Sequence, residues 1–127
     1  MPKYEGEEFD PPAPIARVTL YNPLNDTSVT DVPMPLDTGA DITLLPKKFM
    51  ERLGIFDNSK SFELLGFDGS KGHFEAVYLH LILEGKKFKG HFVWFEQEWG
   101  VIGRDILNLI SLIFDGPIQE WYEPVSR

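Results

Sequence analysis

Glycine and proline interrupt this chain so often that little room remains for a long helix: its 127 residues include 11 glycines and 10 prolines. Between the breaks lie short stretches rich in β-branched and aromatic residues, the composition of strands. Ile15 to Tyr21 reads as a first strand, closed by turn signals at Asn22-Pro23 and Asn25-Asp26. A second extended stretch covers 27–36. Its Pro33 and Pro35 suit an edge or bulged strand, because proline cannot donate to a ladder. Ile42 to Leu45 is a short apolar strand. Pro46 then opens a predicted helix over 47–53, with Gly54 placed to end it. Phe62 to Leu65 and Gly72 to Leu83 form a hairpin tipped by Gly66-Phe67-Asp68-Gly69-Ser70-Lys71. Glu84-Gly85-Lys86 turns the chain into a strand over 87–95. A short helix over 105–109 and a terminal hairpin over 111–122 complete the reading. Such a sequence of elements predicts an all-β fold, a small closed or semi-closed barrel with one or two short helices.

Length and composition set further bounds. A chain of this size is one domain by default and can bury a core without disulfides. Residues 1–14 are acidic and proline-rich, which predicts a disordered or extended arm ahead of a domain spanning 15–127. There are no cysteines, so thiol chemistry and thiolate metal sites are excluded. The three histidines, His73, His80 and His91, form no local cluster of metal-ligand type, and no metal or cofactor is expected. A formal net charge of −8 repels phosphate backbones and argues against a nucleic-acid partner. The aromatics Phe88, Phe92, Trp94 and Phe95 are then expected in the core or lining a pocket. No apolar run is long enough to cross a bilayer, and the N-terminus lacks the pattern of a signal peptide, leaving the cytoplasm as the default location.

The chemistry concentrates in Leu36-Asp37-Thr38-Gly39-Ala40-Asp41, a tight turn between two apolar stretches. Asp-Thr-Gly alone is also an ordinary turn. Its setting gives it more meaning. The Thr38 hydroxyl can anchor the turn, and Gly39 lets the backbone approach a carboxylate oxygen with its amide. Leu36 and Ala40 supply apolar surroundings that would push carboxyl titration upward. Two such carboxylates a few ångströms apart resist double ionisation. One then stays protonated while its partner acts as a base toward water, a route to peptide hydrolysis without metal, cysteine or activated serine. The chain holds no second copy of the run.

With Val101-Ile102-Gly103-Arg104-Asp105 downstream and Leu65-Gly66-Phe67-Asp68-Gly69 between, the sequence resembles the retroviral-type (retropepsin-like) aspartic proteases over most of 15–122. Leu45-Pro46 and Phe114-Asp115-Gly116-Pro117 look more like the cellular and bacterial members. The resemblance implies a retropepsin-like barrel with a flap hairpin, working as a two-fold homodimer. Asp37 would be the catalytic aspartate and Thr38 would hydrogen-bond across the subunit boundary. Gly39 would supply an amide near the carboxylates. Ala40, Asp41 and the flap residues Gly66, Phe67, Asp68 and Gly69 would contact a peptide or protein substrate. Asp41 would also pair with Arg104, a match suited to a guanidinium fork. Gly103 would let the 101–102 strand pass close beneath the loop. Asp105 stands where viral members usually carry asparagine and is expected to cap the following helix. Trp121 and Tyr122 fit either a dimer interface or the core. The implied activity is aspartic endopeptidase. The alternatives are a peptide-binding module of the same fold with little turnover, and a dimerisation domain.

Overall fold

The computed structural model describes residues 2–56, 61–65 and 71–125. The hairpin tip holding Gly66, Phe67, Asp68 and Gly69 lies outside the described residues.

Alternating burial organises the sheet. In β2 (Ala13–Asn22) the side chains of Ala16, Val18, Leu20 and Asn22 point inward and are buried. This strand pairs antiparallel on one side with β3 (Thr27–Pro35), with a register shift between Val18 and Leu20. On its other side, Thr19, Leu20 and Tyr21 pair with β6 (Lys71–Leu83). β3 pairs with no other described strand, so its prolines sit on an edge, where a missing donor costs nothing. β6 also pairs with β5 (Ser61–Leu65) and, along most of its length, with β7 (Lys86–Phe95). β4 (Leu44–Pro46) lies parallel to the end of β7. The resulting sheet is curled into a half-barrel. Its core joins Val18, Leu20, Val32, Met34, Leu45, Leu79, Leu81, Ile102 and Trp121, all of them with no exposed surface. Each fully buried side chain of this size stabilises the fold by about 1.5–3 kcal/mol.

Three local readings change. Ile42 and Thr43 lie in a loop, and the strand begins at Leu44. Pro46 ends that strand in an extended conformation, and 47–53 forms two 3₁₀ turns, Lys47–Phe49 and Glu51–Leu53, in place of one helix. The segment is too short to sustain an α-helix on its own, and outside contacts shape it. The carbonyl of Leu53 accepts hydrogen bonds from Asn22 Nδ2 (2.7 Å) and Asn25 Nδ2 (3.0 Å) across the β2–β3 turn. Gly54 then leaves in the left-handed region (φ 72°), as a terminating glycine should.

The termini are joined. Lys3 bridges Glu120, the Tyr4 amide bonds Gln119 O (2.9 Å), and the Trp121 amide bonds Pro2 O (3.0 Å). Tyr4–Glu5 forms β1, paired with Pro14 and Ala13 at the start of β2. β8 (Ile113–Asp115) and β9 (Glu120–Tyr122) form the terminal hairpin. Trp121 belongs to the core: it has no exposed surface, and its indole nitrogen donates to Ile15 O at 3.1 Å. Phe92 and Trp94 are buried as well. Among the described residues, no helix is long and apolar enough to cross a membrane.

Candidate active site

Leu36 ends the run of β3 and carries the chain into the Asp37 loop. Two segments grip this turn. On one side the Leu36 amide donates to Pro14 O (3.0 Å). On the other, residues 101–102 pass between the two arms of the loop. Ile102 bridges Leu36 in parallel and Val101 bridges Leu44 antiparallel. The hydrogen bonds are Ile102 N to Pro35 O (2.8 Å), Asp37 N to Ile102 O (2.9 Å), and a reciprocal pair between Val101 and Leu44 (2.9 and 3.0 Å). The backbone beneath Asp37 is therefore fixed from both sides, while its carboxylate faces outward and is exposed.

Within the loop, Asp37 Oδ1 accepts the Gly39 amide at 2.9 Å, and the Ala40 amide closes the turn on Asp37 O (3.1 Å). A Cβ on Gly39 would sit 3.1 Å from that same carboxylate oxygen. Thr38 is exposed, and its hydroxyl makes no hydrogen bond among the described residues. Its carbonyl accepts Arg104 Nη1 at 2.7 Å. Arg104 Nη2 reaches Asp41 in an ion pair, and the Arg104 amide bonds Ala40 O (2.9 Å). The guanidinium thus spans the turn from Thr38 to Asp41. Both partners of the ion pair are substantially exposed, so it contributes at most about 1 kcal/mol to stability and serves mainly to hold geometry. The structure brings together Asp37, Thr38, Gly39, Ala40, Asp41, Gly103 and Arg104.

Gly103 is the tightest point. A Cβ there would lie 2.4 Å from both the carbonyl carbon and oxygen of Ile42 and 2.9 Å from Thr43 N. Only a residue without a side chain permits this approach. Gly103 is also the N-cap residue of the short helix α1 (Arg104–Leu107).

Asp105 is therefore not the cap the sequence suggested, because the helix begins one residue earlier. Its Oδ1 accepts Thr43 N (3.0 Å), Thr43 Oγ1 (2.7 Å) and the adjacent Ile106 amide (3.0 Å). The Thr43 hydroxyl in turn accepts the buried Gly103 amide at 3.0 Å. Thr43, 1% exposed, is the hub that ties the end of the Asp37 loop to α1. Sequence reasoning missed it. Its one signal is a polar residue at the centre of the apolar run Ile42-Thr43-Leu44-Leu45.

Among the described residues, no three His, Asp or Glu groups converge as a metal site. His80 and His91 both pack against the Tyr78 ring. Burial, with Lys89 and Lys87 nearby, lowers the His80 pKa below its ordinary value.

No protein-family model and no curated protein match the chain. Among solved structures it is similar to the EIAV protease complexed with the inhibitor HBY-793. The TM-score is 0.52 and the identity 24%, covering 82% of this chain and 90% of that one. The fold is thus the one seen in a retroviral protease.

Proposed function

We propose that the protein is an aspartic endopeptidase whose active site is completed by a second copy of the chain, each contributing Asp37. The observation that carries this reading is the exposed Asp37 carboxylate on a loop gripped by Pro14, Ile102 and Arg104, with the Gly39 amide on its oxygen. A group held this rigidly yet open to solvent is arranged for contact with something outside the chain. The protease fold of the similar structure supports the same direction.

One carboxylate does not suffice for the chemistry, and the surface around the loop suits a partner copy. Thr38 lies beside a hollow of about 340 Å³ lined also by Leu107, Ile110, Leu112 and Phe114. Phe114, part of this lining, is 42% exposed and adds apolar surface beside the loop. Pairing two chains by a two-fold axis here would bring the Asp37 groups together and cover them. The pair would share one proton. The ionised member removes a proton from water as it attacks the peptide carbonyl. The protonated member hydrogen-bonds the carbonyl oxygen, then a proton passes to the leaving amine. Acid to mildly acid pH favours the singly protonated pair. Substrate would lie extended, held by strand-like backbone bonds, with Asp41 at its edge and the 66–69 hairpin tip closing over it. We read Leu45-Pro46 and Phe114-Asp115-Gly116-Pro117 as placing the chain nearer the cellular and bacterial members of the retropepsin-like group.

The test is cleavage of a diverse peptide library by wild type and Asp37→Asn across pH, with sedimentation to follow self-association. Turnover that disappears in Asp37→Asn and rises with dimer fraction is expected. Cleavage by Asp37→Asn at the wild-type rate overturns the assignment.

A further inference from the structure

We propose that the outward face of β2, β6 and β7 is a docking surface for an extended acidic segment of another polypeptide, one whose carboxylates stand at alternate positions and pair with Lys87 and Lys89. The proposal is independent of the peptidase reading, because none of these side chains takes part in the hydrogen bonds that hold the Asp37 loop.

Register builds this face. Leu79, Leu81 and Leu83 of β6 turn into the core, so Tyr78, His80 and Ile82 point outward between them. On β7, His91 pairs with Tyr78, Lys89 with His80, and Lys87 with Ile82. On the other side of β6, Tyr21 of β2 pairs with His80. Antiparallel partners share a face of the sheet. Tyr21, His80 and Lys89 therefore form one row across three strands, and Tyr78 with His91 forms the next.

Packing fixes the rings. The Tyr78 ring meets His80 at 5.8 Å and His91 at 5.4 Å, both edge to face, and Tyr21 leans on His80 at 5.4 Å. The Tyr21 hydroxyl donates to Asp26 Oδ1 at 2.8 Å, which anchors the far end of the row. His80 Nδ1 is buried and has no hydrogen-bond partner among the described residues.

Charge decides the occupant. Lys87, Lys89 and His91 are exposed, and neither lysine has a carboxylate partner among the described residues. Burial, then Lys89 and Lys87, lower the His80 pKa, so both ammonium groups bear on the centre of the face. Carboxylates stand at its margins. Asp26 is held by Tyr21, and Glu84 lines a hollow with Arg17 at the β6–β7 turn. In a chain of net charge −8, two neighbouring unpaired lysines over an aromatic floor reverse the sign locally. Alternate residues of a strand lie about 7 Å apart. A segment extended along β7 can therefore set one carboxylate on each lysine. Nucleic acid suits the face less: rings packed edge to face against one another leave little open surface for base stacking, and the rest of the chain repels a long polyanion.

The experiment is an NMR titration of the full Asp37→Asn chain with three short serine-rich peptides and a single-stranded oligothymidine. The first peptide carries two glutamates separated by one serine, the second two glutamines so placed, and the third two adjacent glutamates. The first is expected to bind about tenfold tighter than the second and about threefold tighter than the third, with both leads shrinking as salt is added. Its shift changes should centre on Tyr78, His80, Lys87, Lys89 and His91. Lys87→Gln and Lys89→Gln should each weaken it about threefold, and the double variant should bind the three peptides alike. Equal binding of the three by the parent chain overturns the proposal. So do an unchanged ranking in the double variant, tighter binding of the oligothymidine, and shift changes centred elsewhere.

Discussion

Replacing Thr43 by valine tests whether the loop is held in the way described. Valine keeps the shape and the branching of threonine, so no cavity opens, and only the hydroxyl is lost. That hydroxyl donates to Asp105 Oδ1 at 2.7 Å and accepts the buried Gly103 amide at 3.0 Å. A hydrogen bond to a charged group is worth about 1.5–3 kcal/mol, and the low end applies here because Asp105 is exposed and keeps two other donors. Stranding the Gly103 amide inside the protein costs a further 1–3 kcal/mol or about that. Burying the new methyl returns about 0.8 kcal/mol. The net expectation is a loss of about 2–3 kcal/mol, or roughly 10 °C in Tm for a chain of this length. Thr43→Ser, which keeps the hydroxyl and gives up one methyl, should lose only about 1 kcal/mol. Urea titration and calorimetry at one fixed protein concentration, which removes any effect of self-association, give the ranking. Hydrogen exchange should show the Gly103 amide losing protection in Thr43→Val. A valine variant as stable as wild type, or more stable than the serine variant, would refute the assignment of Thr43 as the hub.

Other expectations follow from the same geometry. Gly103→Ala should destabilise by about 3 kcal/mol, the upper range for overpacking, because its Cβ would meet the backbone of Ile42 at 2.4 Å; thermal unfolding and loss of amide protection at Asp37 and Arg104 would show it. Arg104→Lys should cost no more than about 1 kcal/mol in denaturant titrations, since its ion pair is exposed. The same variant should lower peptide turnover by much more, because one ammonium does not reproduce the fork that reaches both Thr38 O and Asp41. His80 should make stability fall with acid. Its folded pKa is lowered, so the unfolded chain takes up the proton first as pH drops below the ordinary 6.5. Its contribution is complete above that value and declines as pH falls toward the folded pKa. The difference between wild type and His80→Gln in urea midpoint should therefore widen below pH 6.5, and parallel pH profiles would contradict it.

The β-rich character was legible in the sequence because it rests on local chemistry. Glycine and proline fix where strands stop, and alternation in Ile15 to Tyr21 fixes which face is buried. The Asp37 run and the 101–105 segment were likewise visible as composition and order. The two 3₁₀ turns at 47–53 were not, because their form depends on Asn22 and Asn25 reaching Leu53 O from a turn 28 or more residues away in sequence. Trp121 could not be assigned to core or dimer interface until its indole was seen on Ile15 O, with no exposed surface. Asp105 illustrates the limit most clearly. A carboxylate at a helix start reads as a cap by propensity, yet its partner is Thr43, 62 positions earlier. Sequence determined which residues carry charge, flexibility and apolar surface. Tertiary structure alone decided which distant groups meet around Asp37, because each of those contacts depends on long-range closure that no local pattern encodes.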